Sequence, residues 1–478
     1  MSIKKNYIYN LSFTVYNSLI QLITLPYIAR VLGKKNIGLQ AFTISLSQYF
    51  VFFAILGIAM YGIREIAYVR ADKTKLTNTF VDLWLILIAS TIISSFFYVI
   101  FIYFQAPELK TLLWVQGIAL FTVCFDITWF FQGLEDFKTI AIRNILVKSL
   151  VIFSIFLFVK TKNDLVLYIS ILTLGNLFSQ LLMWKYLYKY IDLKLFKFSF
   201  SRISTHFFRN LKMFVLQIAI QIYQYLDRTM LGYLGNINEV AVYDLAQKFV
   251  RLTLLVTGTL GSVMMPRISN LIKQHRHEEI KYNIEKSLQI AISISLPIVF
   301  GIISVSKTFI LLFLGHEYMR VADLMILLSP IILIIPIGNI IGVQLMIPME
   351  KELLVSLCPI LGAIVNIILN VILIPKIYAT GAVYATIGAE LAGTILTIYL
   401  MRNYINISHS IIKTYKSLIA SIIMLLILSI ITKYIKLPLF SLFIIQLSVG
   451  ISVFSLILFV LKDDLMILLK NSIKNIRL

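Results

Sequence analysis

Residues 215–235, VLQIAIQIYQYLDRTMLGYLG, combine an apolar run long enough to cross a bilayer with two adjacent charges, Asp227 and Arg228. A transmembrane helix needs about 20 apolar residues. A charge near the middle of such a helix is tolerated only where it faces protein or water instead of lipid. The segment therefore predicts a membrane-spanning helix with one face turned away from the hydrocarbon.

The rest of the 478-residue chain shares this apolar character, with 59% hydrophobic and only 14% charged residues. So much apolar surface exceeds what a soluble core can hide. A window of about 20 residues identifies fourteen candidate spans, at residues 8–31, 38–62, 79–104, 112–134, 140–159, 165–188, 210–234, 240–264, 287–305, 322–347, 353–374, 380–401, 411–432 and 438–461. The sequence predicts an all-α polytopic membrane protein of about fourteen transmembrane helices.

Catalytic chemistry has no obvious place in this chain. The segments between the spans are too short for a soluble domain, and they contain no Walker phosphate loop, no HExxH and no GxSxG motif. Cys124 and Cys358 lie in separate apolar runs, so neither a disulfide framework nor a cysteine metal site is expected. We expect no cofactor and no metal, and transport would draw on an H⁺ or Na⁺ gradient, on a partner or on removal of the product.

Basic residues indicate the orientation. If both termini lie on one face of the membrane, that face receives most of the 43 lysines and arginines. Such residues accumulate on the cytoplasmic side, so both termini are predicted to be cytoplasmic. The net charge of +21 is then directed at anionic head groups and not at nucleic acid.

Polar residues recur at helical spacing in three of the predicted spans. Each set falls on one helix face: Asn10, Thr14, Asn17, Gln21 and Thr24 in the first span, Gln217, Gln221, Gln224 and Arg228 in the seventh, and Asp244, Lys248 and Arg251 in the eighth. Because lipid would reject all three faces, they predict a shared hydrated interior. The alternatives are hydrogen bonding between packed helices for the amides and an internal ion-pair network for the charges.

Acidic residues inside the spans are candidates for ion coupling or gating. In the stretch DITWFFQGLEDFK, residues 126–138, Asp126 lies too deep to be an interfacial anchor, and we expect it to face Lys148 of the next span. A carboxylate in a low-dielectric cavity can exchange protons. The candidates for this role are Asp126, Asp227, Asp244 and Glu390, with Lys148 as a basic partner.

A weak internal repeat divides the chain. The sequence LGKKN at 32–36 recurs as LGNIN at 234–238, and Arg64 and Arg267 end the second span of each half. The predicted organisation is an N-lobe of six spans, a C-lobe of six spans and two additional spans, at residues 1–200, 201–405 and 406–478. Six spans per half give parallel repeats, between which a substrate binds while access alternates by rocking.

Several stretches together resemble the Wzx-type polysaccharide flippases, the polysaccharide transporter branch of the multidrug/oligosaccharidyl-lipid/polysaccharide exporter superfamily. They are NYIYNLSFTVYNSLIQLITLPYIARVLG (6–33), LGIAMYGIREIA (56–67), DITWFFQGLEDF (126–137), DRTMLGYLGNINEVAVYDLAQK (227–248), VQLMIPMEKE (343–352) and GAIVNIILNVILIP (362–375). The resemblance covers most of residues 1–400 and fades over the last two spans.

This resemblance implies a two-lobed fold of fourteen helices. It also implies that the protein moves an undecaprenyl-diphosphate-linked oligosaccharide repeat unit across the bacterial cytoplasmic membrane, for capsule, exopolysaccharide or O-antigen-type assembly. Polymerase and glycosyltransferases of the same pathway would be its partners. The family places basic residues in a central cavity, and the positions that could supply them here are Arg30, Arg64, Arg228, Lys248, Arg251 and Arg267, with Gln221 and Gln224 facing the sugars.

Two other functions remain open at this point. A multidrug or organic-cation antiporter of the same superfamily would share the fold, but it would need an acidic cavity. An integral-membrane polysaccharide polymerase or ligase would need a large extracytoplasmic loop with catalytic residues, which the predicted loops do not provide.

Overall fold

The structure of the protein, a computed structural model, describes the backbone of residues 3–463 and the side chains of most of residues 16–463. Within that second range, the side chains left out are those of residues 215–217, 219–220, 256, 258–263 and 352. The predicted polar side chains of Asn10, Thr14 and Gln217 therefore lie outside the described residues.

Every regular element in the described part of the chain is helical. This is the expected outcome for a chain in lipid, because a helix satisfies its own backbone hydrogen bonds. The helices are α1 (Ile3–Ile55), α2 (Ile58–Val69), α3 (Lys73–Tyr103), α4 (Pro107–Thr122), α5 (Thr128–Gly133), α6 (Phe137–Phe158), α7 (Leu165–Leu187), α8 (Phe200–Leu234), α9 (Ile237–Lys273), α10 (His277–Phe313), α11 (Met319–Leu328), α12 (Ile331–Asn339), α13 (Glu352–Met401), α14 (Ile407–Ile412), α15 (Tyr415–Tyr434) and α16 (Leu439–Val460).

Within the described residues, nine helical stretches are long and apolar enough to cross a membrane, and ten if the bent pair His316–Leu328 and Ile331–Met346 forms one span. Two of the nine, Tyr16–Val69 and Leu353–Met401, are 54 and 49 residues long, and each covers two predicted spans. Helices α8 and α9 coincide with the predicted seventh and eighth spans. The predicted all-α polytopic fold, with about fourteen transmembrane helices, is confirmed.

Backbone breaks divide the two longest helices where the sequence predicts a connection between spans. In α1 the break falls at Gly33, with φ 78°, and in α13 at Tyr378, with φ 51°. Glycine adopts positive φ without steric penalty, whereas a tyrosine there is strained. A single residue in a rare conformation thus replaces a loop in both places.

Tryptophans stabilise a third break, inside the predicted fourth span. Between α4 and α5 the helix is interrupted, and carbonyl groups lose their helical partners. The indole Nε1 of Trp84 donates to the Cys124 carbonyl (2.9 Å), that of Trp184 to Phe125 (3.0 Å), and that of Trp129 to Asp126 (2.9 Å). An unsatisfied carbonyl in a membrane interior costs several kcal/mol, so these indoles make the interruption possible.

The chain forms two compact units, Met1–Gly232 and Tyr233–Leu478. Most of α8 packs in the first unit: the Asn210 side chain donates to the Leu56 carbonyl (2.6 Å), and the hydroxyls of Tyr49 and Thr229 are 2.8 Å apart.

In the second unit, α15 and α16 pack against α10 and against each other. The division into lobes at 1–200, 201–405 and 406–478 remains a prediction, because compactness does not test a repeat.

Candidate functional site

Asp244 and Lys248 lie one turn apart on α9, as their spacing of four residues predicts. The Lys248 Nζ is 2.6 Å from the Asp244 Oδ2. The aspartate side chain is only 2% exposed, whereas the lysine side chain is 32% exposed. The carboxylate therefore lies behind the ammonium, and the accessible part of this pair is basic.

Arg251 continues the same face of α9 and reaches a carboxylate on α13. Its Nη2 is 3.8 Å from the Glu390 Oε1, and the arginine side chain is 37% exposed against 21% for the glutamate. At this separation the pair is an ion pair without a close hydrogen bond. The structure thus joins two residues to which the sequence analysis gave different roles, substrate binding for Arg251 and ion coupling for Glu390.

A buried hydrogen-bonded group connects α9 to α13 beside these pairs. The hydroxyls of Tyr243 and Thr386 are 2.8 Å apart, and the Gln247 amide donates to the Tyr243 hydroxyl at 3.1 Å. All three residues are buried. The contact between Tyr243 and Thr386 is a hydrogen bond between packed helices, which is the alternative interpretation of the polar stripes, and Gln247 supports it from within α9.

On α8, Asp227 and Arg228 differ in environment, which answers how adjacent charges fit into one apolar helix. Asp227 is 3% exposed, and Arg228 is half-buried with its guanidinium 5.5 Å from the centre of the Tyr225 ring. Successive residues on a helix point about 100° apart, so one charge is enclosed while the other stays accessible. Gln221 is half-buried and Gln224 is exposed on the same helix.

Around the break before α5, Asp126 accepts a hydrogen bond from the Thr128 backbone N–H at 2.9 Å. Arg143 on α6 interacts electrostatically with Asp126, and the expected pairing of Asp126 with Lys148 remains a prediction. Lys148, farther along α6, donates to the Asn17 side chain on α1. The carboxylate thus satisfies the start of a short helix, a role that its sequence position did not reveal.

Arg143 is 6% exposed, and its guanidinium donates to neutral acceptors. Its Nη1 lies 2.9 Å from the Gln180 Oε1 and 3.3 Å from the Ser179 carbonyl, and its Nη2 lies 2.7 Å from the Asn144 Oδ1. Arg143 falls inside the predicted fifth span, but sequence reasoning did not select it as a site residue. Thr139 and Arg143 lie one turn apart on α6 and continue the helical spacing of the capping residue Asp136, and this polar stripe was the signal that could have selected it.

Three predicted cavity residues lie at helix ends or surfaces. Arg30 and Arg267 are exposed. The Arg64 Nη2 is 3.1 Å from the Glu65 Oε1, and its guanidinium lies 5.2 Å from the centre of the Tyr61 ring. Along α9, Arg267 is about 24 Å from Arg251 by helix geometry. The assignment of these residues to substrate binding remains a prediction.

Asp82 is a second charge that sequence reasoning overlooked. It is fully buried in α3, and Arg202 binds both of its carboxylate oxygens, with the Nη2 to Oδ1 distance at 3.1 Å. The same Nη2 donates to the Lys197 carbonyl at 2.7 Å and lies 3.3 Å from the Asn78 Oδ1. A bidentate pair of this kind holds the start of α8 against α3.

Two family models and a protein relative match this chain. The family model described as "Polysaccharide biosynthesis protein" matches residues 3–272, and the MatE family model matches residues 213–372. An Escherichia coli (strain K12) protein that carries the name O-antigen transporter is 22% identical over 412 residues, which are 84% of this chain and 97% of that protein.

Solved structures share the fold. Lipid II flippase MurJ, in an inward closed conformation, superimposes with a TM-score of 0.76 at 18% identity, covering 97% of this chain and all of that one. An inward-facing multidrug resistance MATE family transporter of the MOP superfamily superimposes with a TM-score of 0.66 at 14% identity, covering 86% of this chain and 96% of the transporter. At these identities the likeness shows the fold alone.

Proposed function

The chain belongs to the family of polysaccharide biosynthesis proteins, whose model matches more than half of it, and from this premise we propose that it is a flippase for lipid-linked oligosaccharides. The predicted membership of the multidrug/oligosaccharidyl-lipid/polysaccharide exporter superfamily is confirmed. The chain is a multi-pass membrane protein. Its relatives are named transporters and flippases, which supports a transporter and not a polymerase or ligase.

The proposed substrate is an undecaprenyl-diphosphate-linked repeat unit. In this proposal it moves from the inner to the outer leaflet of the bacterial cytoplasmic membrane by alternating access, with both termini of the protein cytoplasmic. Polymerase and glycosyltransferases of a capsule, exopolysaccharide or O-antigen-type pathway would supply and consume it.

The unequal exposure within the ion pairs of α9 is the observation that carries this proposal. Lys248 and Arg251 each expose about a third of the side chain, while Asp244 is enclosed and Glu390 is less accessible than its partner. In a membrane span, an accessible cation needs water or an anionic ligand because hydrocarbon rejects it. A diphosphate suits this surface, since it accepts several charge-assisted hydrogen bonds from ammonium and guanidinium donors.

The same pairs suggest how binding could be coupled to movement. When a diphosphate takes Lys248 or Arg251, the carboxylate left behind becomes a proton or Na⁺ acceptor. A ligand that exchanges partners in this way interacts differently with two conformations, as alternating access requires. We assign this coupling role to Asp244 and Glu390, and extend it to Asp227, Asp126 and Lys148 as a prediction from their positions inside the spans.

The remaining parts of the substrate need different surroundings. Gln221 and Gln224 on α8 are accessible amides, which can donate to and accept from sugar hydroxyls. The polyprenyl tail needs no protein site, because it can stay in lipid while the head group crosses.

An organic-cation antiporter is the second candidate. The MatE match over residues 213–372 and the MATE-like fold favour it. A cation substrate would need exposed carboxylates, whereas the accessible members of the α9 pairs are basic.

Reconstituted vesicles test the proposal. We expect the wild type to move a fluorescent polyprenyl-diphosphate oligosaccharide between leaflets, and the variants Lys248→Ala and Arg251→Ala to lose at least about tenfold in rate, equivalent to about 1.4 kcal/mol. Membrane abundance of both variants should stay near normal. Lys376→Ala removes an exposed lysine of α13 and serves as the charge-matched control.

Two results would contradict the proposal. Loss of export in parallel with loss of abundance would assign Lys248 and Arg251 to folding. Proton-driven efflux of an organic cation by the wild type, without movement of the lipid-linked sugar, would establish the antiporter instead.

A further inference from the structure

A pocket of about 710 Å³ lies in the first unit where α6 begins and α7 ends. Four basic residues line it together with two acids, four aliphatic side chains, a threonine and two tyrosines, and its charged members are Arg70, Lys138, Arg143, Lys185, Glu135 and Asp136. None of the lining residues belongs to α9.

Both acids of this pocket have partners within the protein. The Glu135 Oε1 is 2.9 Å from the Arg70 Nη1. Asp136 caps α6, where it accepts hydrogen bonds from the Thr139 hydroxyl at 2.7 Å and from the Tyr190 hydroxyl at 3.2 Å. Burial and the Asp136 carboxylate raise the pKa of Tyr190, so this hydroxyl remains a neutral donor at physiological pH.

The basic residues are not neutralised to the same extent. Lys138 and Lys185 are exposed, and neither has an ion-pair partner among the described residues. Arg143 forms the back of the pocket with its charge bonded to amide and carbonyl oxygens, and Asp126 is the acid that interacts with it. The pocket is therefore net positive, and its excess charge lies on the two exposed lysines.

An apolar wall continues from the charged end along α6. Ile142 and Leu146, one turn apart, are 45% and 59% exposed, so they face the space that lipid occupies in a membrane. Tyr186 at the end of α7 is 39% exposed, at the level where aromatic side chains meet the head groups. Charge at one end and hydrocarbon-facing residues at the other match the shape of a phospholipid.

We propose that this pocket binds the phosphate head group of an anionic membrane phospholipid. The lysines Lys138 and Lys185 hold the phosphate, Arg143 supplies a fixed positive charge behind it, and an acyl chain lies along Ile142 and Leu146. Basic pockets between helices on the cytoplasmic side bind anionic lipids in this manner. On the predicted orientation the lipid belongs to the cytoplasmic leaflet, and it would tie the start of α6 to the end of α7 whether or not the chain is a flippase.

The test uses the full chain in nanodiscs of phosphatidylcholine to which phosphatidylglycerol is added in steps. Binding is measured as the rise in thermal unfolding temperature and as lipid retained in native mass spectra. We expect the double variant Lys138→Gln/Lys185→Gln to weaken apparent phosphatidylglycerol binding about tenfold. Its unfolding temperature in pure phosphatidylcholine should match the wild type, which excludes misfolding, and Lys138→Arg/Lys185→Arg should restore binding.

The matched control is Lys189→Gln/Lys194→Gln, which removes the same charge from exposed lysines near the same end of α7 but outside the pocket lining. An equal loss in both double variants would mean general surface attraction and would overturn the proposal. Two further measurements distinguish a lipid phosphate from a free phosphate ion. They are the stabilisation of the wild type by inorganic phosphate and the lipid binding of Leu146→Ser. If free phosphate stabilises the wild type as well as the lipid does, and Leu146→Ser changes nothing, the site binds a free anion and the lipid assignment is wrong.

Discussion

Helices α9 and α6 both carry basic residues inside the membrane-spanning region, but they satisfy those charges with different partners. On α9, Lys248 and Arg251 face the carboxylates of Asp244 and Glu390. Each pair is close to neutral as a whole, and its cation stays accessible.

On α6 the described hydrogen-bond acceptors of the basic side chains are neutral. Arg143 donates to the Gln180 side chain and Lys148 to the Asn17 side chain, both of which are amide oxygens. An amide satisfies the hydrogen bonds without cancelling the charge, and the acid that interacts electrostatically with Arg143 is Asp126. The contrast suggests that α9 can exchange its partners for an anionic ligand, whereas α6 holds fixed charges that position neighbouring helices.

The largest expected effect is on stability, and it tests whether Arg143 holds neighbouring helices in place. Arg143→Ala should lower the free energy of unfolding by about 3 kcal/mol, because it removes the hydrogen bonds of a buried charged group and leaves the Gln180 oxygen with only the longer contact to the Thr128 hydroxyl, at 3.3 Å. Thermal unfolding of the purified protein measures this, with the exposed Lys160→Ala as a control. An unchanged unfolding temperature would mean that the hydrogen bonds of Arg143 do not stabilise the fold, and the contrast between α6 and α9 would be wrong.

The next effect extends the comparison to α8. Arg228→Ala should weaken binding of the lipid-linked substrate about thirtyfold, equivalent to about 2 kcal/mol for a charge-assisted contact. Asp227→Asn should keep binding and slow transfer, because Asp227 is enclosed and is a candidate for coupling or gating and not for substrate contact. Separate measurements of binding and transfer in vesicles decide this, and an equal loss of binding in both variants would refute the division of roles.

A smaller effect tests the exchange of partners on α9. Asp244→Asn frees Lys248 from its carboxylate, so substrate affinity should rise about tenfold while transfer slows. Gln247→Glu adds an acid one residue from Lys248 and should act in the opposite direction. Weaker substrate binding in Asp244→Asn would show that the aspartate positions the lysine and does not compete for it.

The smallest effect concerns an exposed charge outside the membrane. Backbone N–H groups of Lys75 and Thr74 lower the pKa of Asp72, which caps α3. The charge therefore stabilises the fold above the ordinary carboxyl pKa, and this contribution disappears as the pH falls through the lowered value. Unfolding temperatures of wild type and Asp72→Asn should differ slightly at neutral pH and converge once the pH has fallen below the lowered pKa of Asp72. A difference that persists in acid would assign it to cap geometry and not to charge.

Tertiary structure alone decided the partners of most charges inside the spans. Arg251 and Glu390 are far apart in sequence, as are Arg143 and Gln180, and no local spacing relates them. The break before α5 also depends on distant residues, because Trp84 on α3 and Trp184 on α7 satisfy two of its carbonyls. Which helices come together is set by packing over the whole chain, so a pattern read within one span cannot supply it.

The sequence by itself determined the features that depend on neighbouring residues. Apolar runs of sufficient length placed all the predicted spans on helices, since lipid leaves the backbone no other way to satisfy its hydrogen bonds. Spacing of four residues placed Lys248 against Asp244, because one helical turn brings such side chains together. Which of the two stays accessible was decided only by the fold, because exposure depends on the helices that pack around α9 and not on its own periodicity.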